Sequence, residues 1–238
     1  MLIAIEGVDG CGKTTQVRLL ADRLLKDGTE VYSVSFPRYA DPVFGDLIRR
    51  FLRGDLGDVE NVDPRLVALL FAGDRAAEAP NLRQALCEDK TVICDRYFYS
   101  NLAYQGAKLP DEDELPDFTR WLRKLEFGHY AVPTPACSIY LDVHQEERQE
   151  RLTSRATLDV GTILGAVVND IHERDMGLQA RVEEVFRAHA EMYDDLVRID
   201  CQQYGKRLNA DEVHVRIVRV LIARGILPPP DARAAAHP

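Results

Sequence analysis

Residues 7–14 read GVDGCGKT and match the pattern G-x-x-x-x-G-K-S/T at every fixed position. An apolar run at residues 2–5 predicts a buried strand before this stretch, and an amphipathic pattern that ends at Gly28 predicts a helix after it. Between a strand and a helix, the glycines let successive backbone N–H groups converge on an anion. The stretch therefore predicts a phosphate-binding loop, in which Lys13 would reach the β- and γ-phosphates of a nucleoside triphosphate and the Thr14 hydroxyl would ligate Mg²⁺. A glycine-rich turn without a ligand is the alternative.

The chain beyond this loop alternates strand and helix patterns. A second apolar run at residues 31–36 completes a strand–helix–strand unit, the repeating element of a parallel sheet. Further strands are predicted at 92–94, 137–141 and 197–199, and helices at 64–79, 115–127, 145–155, 178–192 and 211–223. The predicted fold class is therefore α/β, a P-loop NTPase fold with a five-stranded parallel sheet flanked by helices. We expect one domain over residues 1–227 and a disordered, proline-rich tail at 228–238.

The composition argues against several classes of protein. With 30 Lys and Arg against 39 Asp and Glu, the net charge of −9 disfavours a non-specific nucleic-acid binder, which needs a cationic face. The five cysteines are odd in number and form no C-x-x-C pair, so we expect neither a disulfide framework nor a zinc site. No apolar run is long enough to span a bilayer or to serve as a signal peptide. These features predict a cytoplasmic protein with no nucleic-acid or membrane partner.

Asp95, Arg96 and Tyr97 directly follow the apolar run at residues 92–94. Sheets of this class bind their ligands at the carboxyl ends of the strands, where such a triplet would lie. Asp95 could hold Mg²⁺ through water, and Arg96 could bond a phosphate with its forked guanidinium group. An ion pair that joins the strand end to a helix would explain the triplet equally well. A guanine-recognition tetrapeptide of the N-K-x-D kind does not occur, which argues against a GTPase switch.

Four motifs occur together in the chain: EGVDGCGKTTQ at 6–16, FPRY at 36–39, LFAGDRA at 70–76 and DRYFYSNLAYQGA at 95–107. Their order and spacing resemble those of the thymidylate kinases, the actinobacterial branch in particular, and DIHERD at 170–175 fits the region after that family's lid. The resemblance covers residues 1–200. It implies a homodimeric enzyme that uses ATP and Mg²⁺ to phosphorylate dTMP to dTDP.

The resemblance also implies which residues bind the substrates. ATP would be held by Gly7, Asp9, Gly10, Cys11, Gly12, Lys13, Thr14 and Thr15. The acceptor dTMP would be held by Asp9, Phe36, Arg38, Tyr39, Phe71, Arg75, Arg96, Asn101, Tyr104, Asp170 and Glu173. The metal would lie near Asp9, Thr14, Asp95 and Glu173, and catalysis would rest on Lys13, Asp95, Arg96 and arginines of the lid. Asp170 and Glu173, three residues apart, could instead form a solvated acidic face.

Each role in the acceptor site suits its side chain. Phe71 matches the family's aromatic that stacks on thymine, Arg75 the arginine that bonds the thymine carbonyl, and Asn101 the residue that reads the N3 edge. Tyr104 matches the aromatic that disfavours a ribose 2′-hydroxyl. Structural roles are the alternatives, because Phe71 could be a core residue and the three polar residues could lie on helix surfaces.

The family requires cations over the transferred phosphoryl group, and they come either from the phosphate loop or from the lid. The phosphate loop of this chain carries no arginine. We therefore assign the charge to a mobile lid at residues 148–174 and expect Arg155, or else Arg151, to reach the phosphates. Arg148 would form a structural ion pair. A cation-free, largely apolar stretch at 156–168 departs from the arginine-rich lids of the family.

Two other functions stay open at this point. A deoxynucleoside kinase shares the phosphate loop and a DR-type motif, but it phosphorylates a 5′-hydroxyl and needs a general base to activate it. A nucleotide-binding regulatory protein that has lost catalysis would keep the fold, and the unusual lid is the feature in its favour. The presence of Lys13, Asp95 and Arg96 argues against that second alternative.

Overall fold

The computed structural model describes residues 1–57, 62–143 and 176–229. Five strands form one sheet: β1 (Leu2–Glu6), β2 (Val31–Ser35), β3 (Thr91–Asp95), β4 (Cys137–Asp142) and β5 (Leu196–Asp200). Their order is β2-β3-β1-β4-β5, and all neighbours pair in parallel. Each strand begins and ends within one residue of its predicted run, and the predicted fold class is confirmed.

The helices of the described ranges are α1 (Lys13–Lys26), α2 (Phe44–Leu52), α3 (Pro64–Cys87), α4 (Phe98–Gly106), α5 (Leu115–Arg123), α6 (Met176–Met192) and α7 (Ala210–Ala223). The helices predicted at 178–192 and 211–223 correspond to α6 and α7. The helix predicted at 115–127 is divided between α5 and a π-helical segment, Lys124–His129. Two helices, α2 and α4, have no predicted counterpart. The helix expected at 145–155 and the lid expected at 148–174 lie outside the described residues.

Helix α3 is longer than predicted. The pattern at 64–79 ends before Pro80, because proline lacks the N–H that the helix needs and its ring clashes with the preceding turn. The structure instead continues α3 through Pro80 to Cys87. Pro80 lies on the exposed side, while Ala79, Leu82 and Ala85 stay buried in the core. Packing of that apolar face therefore outweighs the cost of one missing hydrogen bond.

The sheet brings the sequence motifs to one edge. Strands β1, β3 and β4 are buried along their whole length, which explains their uninterrupted apolar runs. In the register of the sheet, Asp95 of β3 lies beside Ile5 of β1 on one side and Ser35 of β2 on the other. The loops that follow these three strands therefore leave the sheet side by side, at its carboxyl edge.

The rest of the described chain adds one unpredicted element. Strands β6 (Gln202–Gln203) and β7 (Lys206–Arg207) form a short antiparallel hairpin between β5 and α7. Of the tail predicted at 228–238, only residues 228 and 229 are described. Within the described ranges, every helix is too short or too polar to cross a membrane.

Candidate active site

A cleft of about 280 Å³ lies at the carboxyl edge of the sheet. Its walls come from the loop after β1, the ends of β2 and β3, and helices α2, α3 and α4. The lining residues are Asp9, Gly10, Gly12, Lys13, Thr14, Ser35, Phe36, Pro37, Tyr39, Leu52, Phe71, Arg75, Asp95, Arg96, Ser100, Asn101, Tyr104 and Gln105. The four sequence motifs, which lie up to 100 residues apart, therefore meet in one cavity.

The side chain of Lys13 is bonded to the backbone of its own phosphate loop. Gly12, which precedes α1, has φ +100°, a conformation that side-chain-bearing residues rarely adopt. The Nζ atom of the buried Lys13 donates to the carbonyl oxygen of Val8 at 2.9 Å. The Thr14 hydroxyl donates to Oδ2 of Asp95 at 2.7 Å and so links the loop to the end of β3. The lysine, the threonine and the strand-end aspartate thus lie together at the carboxyl edge of the sheet.

A charged cluster lies between the phosphate loop and α4. The Arg96 guanidinium forms an ion pair with Asp9, and its Nη1 atom donates to the carbonyl oxygen of Gly7 at 2.9 Å and to Oγ of Ser100 at 3.2 Å. The Tyr104 hydroxyl donates to Oδ2 of Asp9 at 2.7 Å. Burial alone raises the pKa of Asp9, but the charges of Arg96 and Lys13 outweigh it, so the net pKa lies well below its usual range. Asp9 is therefore a carboxylate at every physiological pH.

The backbone of Arg96 is itself unusual. Its φ of +66° lies in the left-handed region, where a residue with a long side chain is strained. Such strain persists only when neighbouring contacts over-determine the conformation, and it is concentrated at functional sites. The three acceptors of the guanidinium group supply those contacts. The geometry thus favours the functional interpretation of the Asp95–Arg96–Tyr97 triplet over a simple strand-end ion pair.

Glu6 supports the site from behind the cleft wall, and the sequence alone assigns it no role. It is fully buried at the end of β1, and its carboxylate accepts the backbone N–H of Tyr99 at 3.0 Å and the Ser100 hydroxyl at 2.5 Å. Burial raises the pKa of Glu6. Because these bonds satisfy the N-terminal turn of α4, Glu6 ties the phosphate-loop strand to the helix that carries Asn101. Its signal was a glutamate directly after a buried apolar run.

Arg75, Asn101 and Glu126 form a second buried cluster. Nε and Nη2 of Arg75 each donate to the fully buried Glu126 at 2.6 Å, a bidentate ion pair. The Nδ2 atom of Asn101 donates to Glu126 and to the carbonyl oxygen of Ala68, both at 3.0 Å. The buried Oδ1 atom of Asn101 accepts no hydrogen bond from any described residue. Asn101 therefore offers an acceptor and no donor to a ligand, whereas a free amide would offer both.

Phe71 belongs both to an apolar cluster and to the wall of the cleft. It lines the cleft, and it also packs against the small apolar cluster of Ile48, Phe51, Leu52 and Val67 between α2 and α3. Its ring is therefore held by a core on one side and exposed to the cavity on the other.

Several predicted residues do not line the cleft. Gly7, Cys11 and Thr15 belong to the phosphate loop or the start of α1 but are absent from the cavity wall. The Arg38 side chain is bonded to Asp74, Glu78 and Asp41 and likewise lies off that wall. The remaining ones, Arg148, Arg151, Arg155, Asp170 and Glu173, lie outside the described residues, so their roles stay predictions.

The oxygen atoms of Thr14 and Asp95 are the best candidates for a metal in the described part of the chain. A hydroxyl and a carboxylate 2.7 Å apart at a phosphate loop match the oxygen chemistry that Mg²⁺ prefers. The described residues contain no cluster of three or more His, Cys, Asp or Glu suited to a metal on its own. Such a site fits an ion that enters with a nucleotide, because Mg²⁺ keeps several waters and takes phosphate oxygens as further ligands.

Comparison with known proteins places the chain among established relatives. The thymidylate kinase family model matches residues 5–205. The thymidylate kinase of Mycobacterium tuberculosis is 38% identical over 187 residues, which cover 78% of this chain and 84% of the relative. The probable thymidylate kinase of Thermococcus gammatolerans is 33% identical over 223 residues, or 92% of this chain and 94% of the relative. Among solved structures, thymidylate kinase from Candida albicans aligns with a TM-score of 0.71 at 21% identity, over 94% of this chain and 92% of that chain, which supports the fold. The chain therefore belongs to the thymidylate kinase family.

Proposed function

We propose that the protein transfers the γ-phosphoryl group of ATP to dTMP and releases ADP and dTDP. The observation that carries this proposal is the continuity of one cleft from the phosphate loop, through Arg96, to the Arg75–Asn101 cluster. Such a cleft would accommodate a donor triphosphate, an acceptor phosphate and an acceptor base in succession. Family membership supports the same reaction.

The base end of the cleft suits thymine. Thymine presents a carbonyl acceptor at O4 and a donor at N3–H. Arg75 holds donors in a fixed plane through its bonds to Glu126, and Asn101 presents the acceptor Oδ1. Cytosine reverses both edges, with an amino donor and an unprotonated N3, and would leave buried polar groups without partners. A site built this way can reject the wrong substrate by about 10⁴-fold.

The reaction needs alignment and charge neutralisation more than proton transfer. The attacking oxygen belongs to a phosphate that is already anionic, so no strong general base is required. Lys13 and Arg96 supply positive charge on the two sides of the transfer, and Arg155 or Arg151 remains our proposal for the lid. Thr14 and Asp95 would hold Mg²⁺, which when bound neutralises charge on the β- and γ-phosphate oxygens.

Asp9 and Glu173, the other two residues assigned to the metal, are not part of the proposed Mg²⁺ site. Both carboxylate oxygens of Asp9 are engaged, Oδ1 by Arg96 and Oδ2 by Tyr104. Glu173 lies outside the described residues. We therefore propose Thr14 and Asp95 as the protein's main oxygen donors to the metal.

The competing kinase function is less well supported by the cleft. Phosphorylation of a nucleoside needs a carboxylate near the 5′-hydroxyl, able to take up its proton. Among the described residues, the two carboxylates that line the cleft are Asp9 and Asp95, and they are already bonded to Arg96 and Thr14, respectively. Arg96 lines the same cleft, and its positive charge suits an acceptor that carries a phosphate.

The assembly and the compartment belong to the proposal as well. We propose a homodimer, and the large apolar side chains of Val43, Leu47 and Leu66, exposed on or beside α2 and α3, support a partner surface there. All five cysteines are free thiols, which supports a reducing, cytoplasmic compartment.

The test is a panel of acceptors with saturating ATP, in which ADP release is followed by a coupled assay. We expect dTMP to be used far better than dCMP or UMP, and thymidine to give no turnover above background. Asn101→Ala should narrow the preference for dTMP over dCMP, whereas Gln84→Ala, on the exposed side of α3, should not. Equal rates with all pyrimidine monophosphates, or a preference for thymidine, would contradict the proposal.

A further inference from the structure

The Arg38 side chain points toward α3 and away from the cleft. Its Nε atom donates to Oδ1 of Asp74 at 3.0 Å, and Nη1 donates to Oε2 of Glu78 at 2.7 Å. Its Nη2 atom reaches Oδ2 of Asp41 at 3.3 Å and the backbone carbonyl of Asp74 at 3.1 Å. The backbone N–H of Arg38 also donates to Asp74, at 2.8 Å. One residue thus makes five polar contacts, all on the α3 side or within its own loop.

The acids that hold Arg38 are themselves buried. The side chains of Asp74 and Glu78 are 1% and 5% exposed, and that of Arg38 is 20% exposed. Burial raises the pKa of Asp74, although the bonds and charge of Arg38 oppose that rise. Glu78 also accepts the Tyr32 hydroxyl, and burial together with Glu78 raises the pKa of Tyr32 to about 12. The guanidinium of Arg38 is the counter-charge that makes two buried carboxylates tolerable at this place.

This arrangement is incompatible with a phosphate-binding role for the same side chain. If the guanidinium moved into the cleft to meet a phosphate, Asp74 and Glu78 would stay buried and would lose the cation that is bonded to both of them. Breaking a buried ion pair on one side is strongly destabilising, because the remaining charge stays desolvated. Arg38 therefore stays with α3 while the neighbouring residues of its loop face the cleft.

The loop that Arg38 holds is fixed on its other side by α2. A Cβ atom on Gly45 would lie 2.2 Å from the Arg38 carbonyl oxygen, so the helix backbone directly contacts the loop backbone. Asp41 accepts the backbone N–H groups of Val43 at 2.9 Å and Phe44 at 2.7 Å, at the start of α2. The loop thus lies between α2 and α3. Pro37 and Tyr39, on either side of Arg38, line the cleft, and Tyr39 is the one of the two with a polar side chain.

We propose that Arg38 is a positioning residue: anchored by Asp74 and Glu78, it fixes residues 37–41 so that Tyr39 faces the acceptor phosphate, and it does not bind that phosphate itself. The inference rests on the proposed function, since it assumes that dTMP occupies the cleft. Glu78 and Tyr32, outside the cleft, become part of the acceptor site through this chain of contacts.

The experiment is a double-mutant cycle with Arg38→Lys and Tyr39→Phe, measured as kcat and KM for dTMP at saturating ATP. Lysine keeps the positive charge beside the buried acids but cannot make the forked contacts. We expect each single variant to raise KM about tenfold, the effect of one lost hydrogen bond to a charged group, with kcat little changed. Because Arg38 acts through Tyr39, the two effects should not multiply. The KM of the double variant should exceed the higher of the two single-variant KM values by no more than about twofold.

A second cycle keeps the test independent of how well Arg38→Lys folds. Glu78→Gln preserves the size of the anchor and removes its charge, so we expect a smaller rise in KM that disappears in the Tyr39→Phe background. Arg65→Lys is the matched control, because Arg65 pairs with Glu114 outside the cleft, and it should leave KM unchanged. Thermal denaturation of each variant reports whether the fold is kept.

Three outcomes would overturn the inference. The first is a double variant whose KM is raised about a hundredfold, the product of the two single effects, which is the result for two independent phosphate ligands. The second is an Arg38→Lys variant with unchanged KM. The third is a Tyr39→Phe variant with unchanged KM, which leaves Arg38 nothing to act through. In each case dTDP formation by the unmodified protein shows that the proposed function itself still stands.

Discussion

Glu126 shows how one buried charge can organise a binding site that is assigned from other residues. Arg75 and Asn101 could be predicted because both lie inside recognisable motifs. Their common partner lies in the π-helical segment after α5, at the end of the helix predicted at 115–127, and belongs to none of the four motifs. A carboxylate buried completely is stable only because it meets a bidentate guanidinium. Side-chain pairing across 51 residues of sequence is information that only the fold supplies.

This pair predicts a separation between stability and activity. Glu126→Met should lower the free energy of unfolding by about 3–5 kcal/mol, because Arg75 is left buried and unpaired. The double variant Arg75→Met with Glu126→Met should recover most of that loss but not dTMP phosphorylation. Denaturant unfolding together with steady-state kinetics measures both quantities. A double variant as unstable as the single one, or one with normal KM for dTMP, would show that the pair has a different role.

At the scale of secondary structure, the sequence predicts those helices and strands whose apolar residues form a periodic or continuous pattern. The strands could be predicted because each is a short, mainly apolar run. Strands β1, β3 and β4 are buried along their whole length, whereas β2 and β5, at the edges of the sheet, are partly exposed. Helix α4 was not predicted although its residues lie in a quoted motif: all nine are buried, so it has no polar face and no amphipathic period. Helix α3 was predicted too short, because Pro80 is a local stop signal that the packing of Leu82 and Ala85 overrides.

The packing of α2 on α3 shapes the wall of the cleft, through Leu52 and Phe71. A Cβ atom on Gly73 would lie 2.3 Å from Cε1 of Phe44, so in Gly73→Ala either the Phe44 ring or α2 itself must shift. We expect a loss of about 1–3 kcal/mol in the free energy of unfolding and a higher KM for dTMP.

The matched control is Gly128→Ala. Its new Cβ would meet only Cγ of Lys124, at 3.9 Å, so stability should stay within about 0.5 kcal/mol of the parent. If Gly73→Ala and Gly128→Ala unfold at the same denaturant concentration as the parent protein, the close contact between α2 and α3 does not constrain the cleft.

At the scale of the whole molecule, the function follows from the order of the strands. The arrangement β2-β3-β1 places the FPRY loop, the Asp95–Arg96 pair and the phosphate loop next to one another, and α3 and α4 complete the wall. The phosphate loop and the strands could be predicted from contiguous residues, because local sequence determines them. The direction of Arg38 and the buried partners Glu6, Asp74 and Glu126 could not, because they depend on which elements lie side by side.

Substitution of Lys13 tests most directly whether this cleft transfers a phosphoryl group from ATP to dTMP. Phosphorus NMR of ATP and dTMP incubated with the protein should show dTDP and ADP appearing together. With Lys13→Ala the rate should fall by at least about a hundredfold, because the charge is needed at the transferred group, while the unfolding temperature and dTMP affinity are kept. Lys26→Ala, at the other end of α1, should react at the parent rate. Near-normal dTDP formation by folded Lys13→Ala would contradict the account.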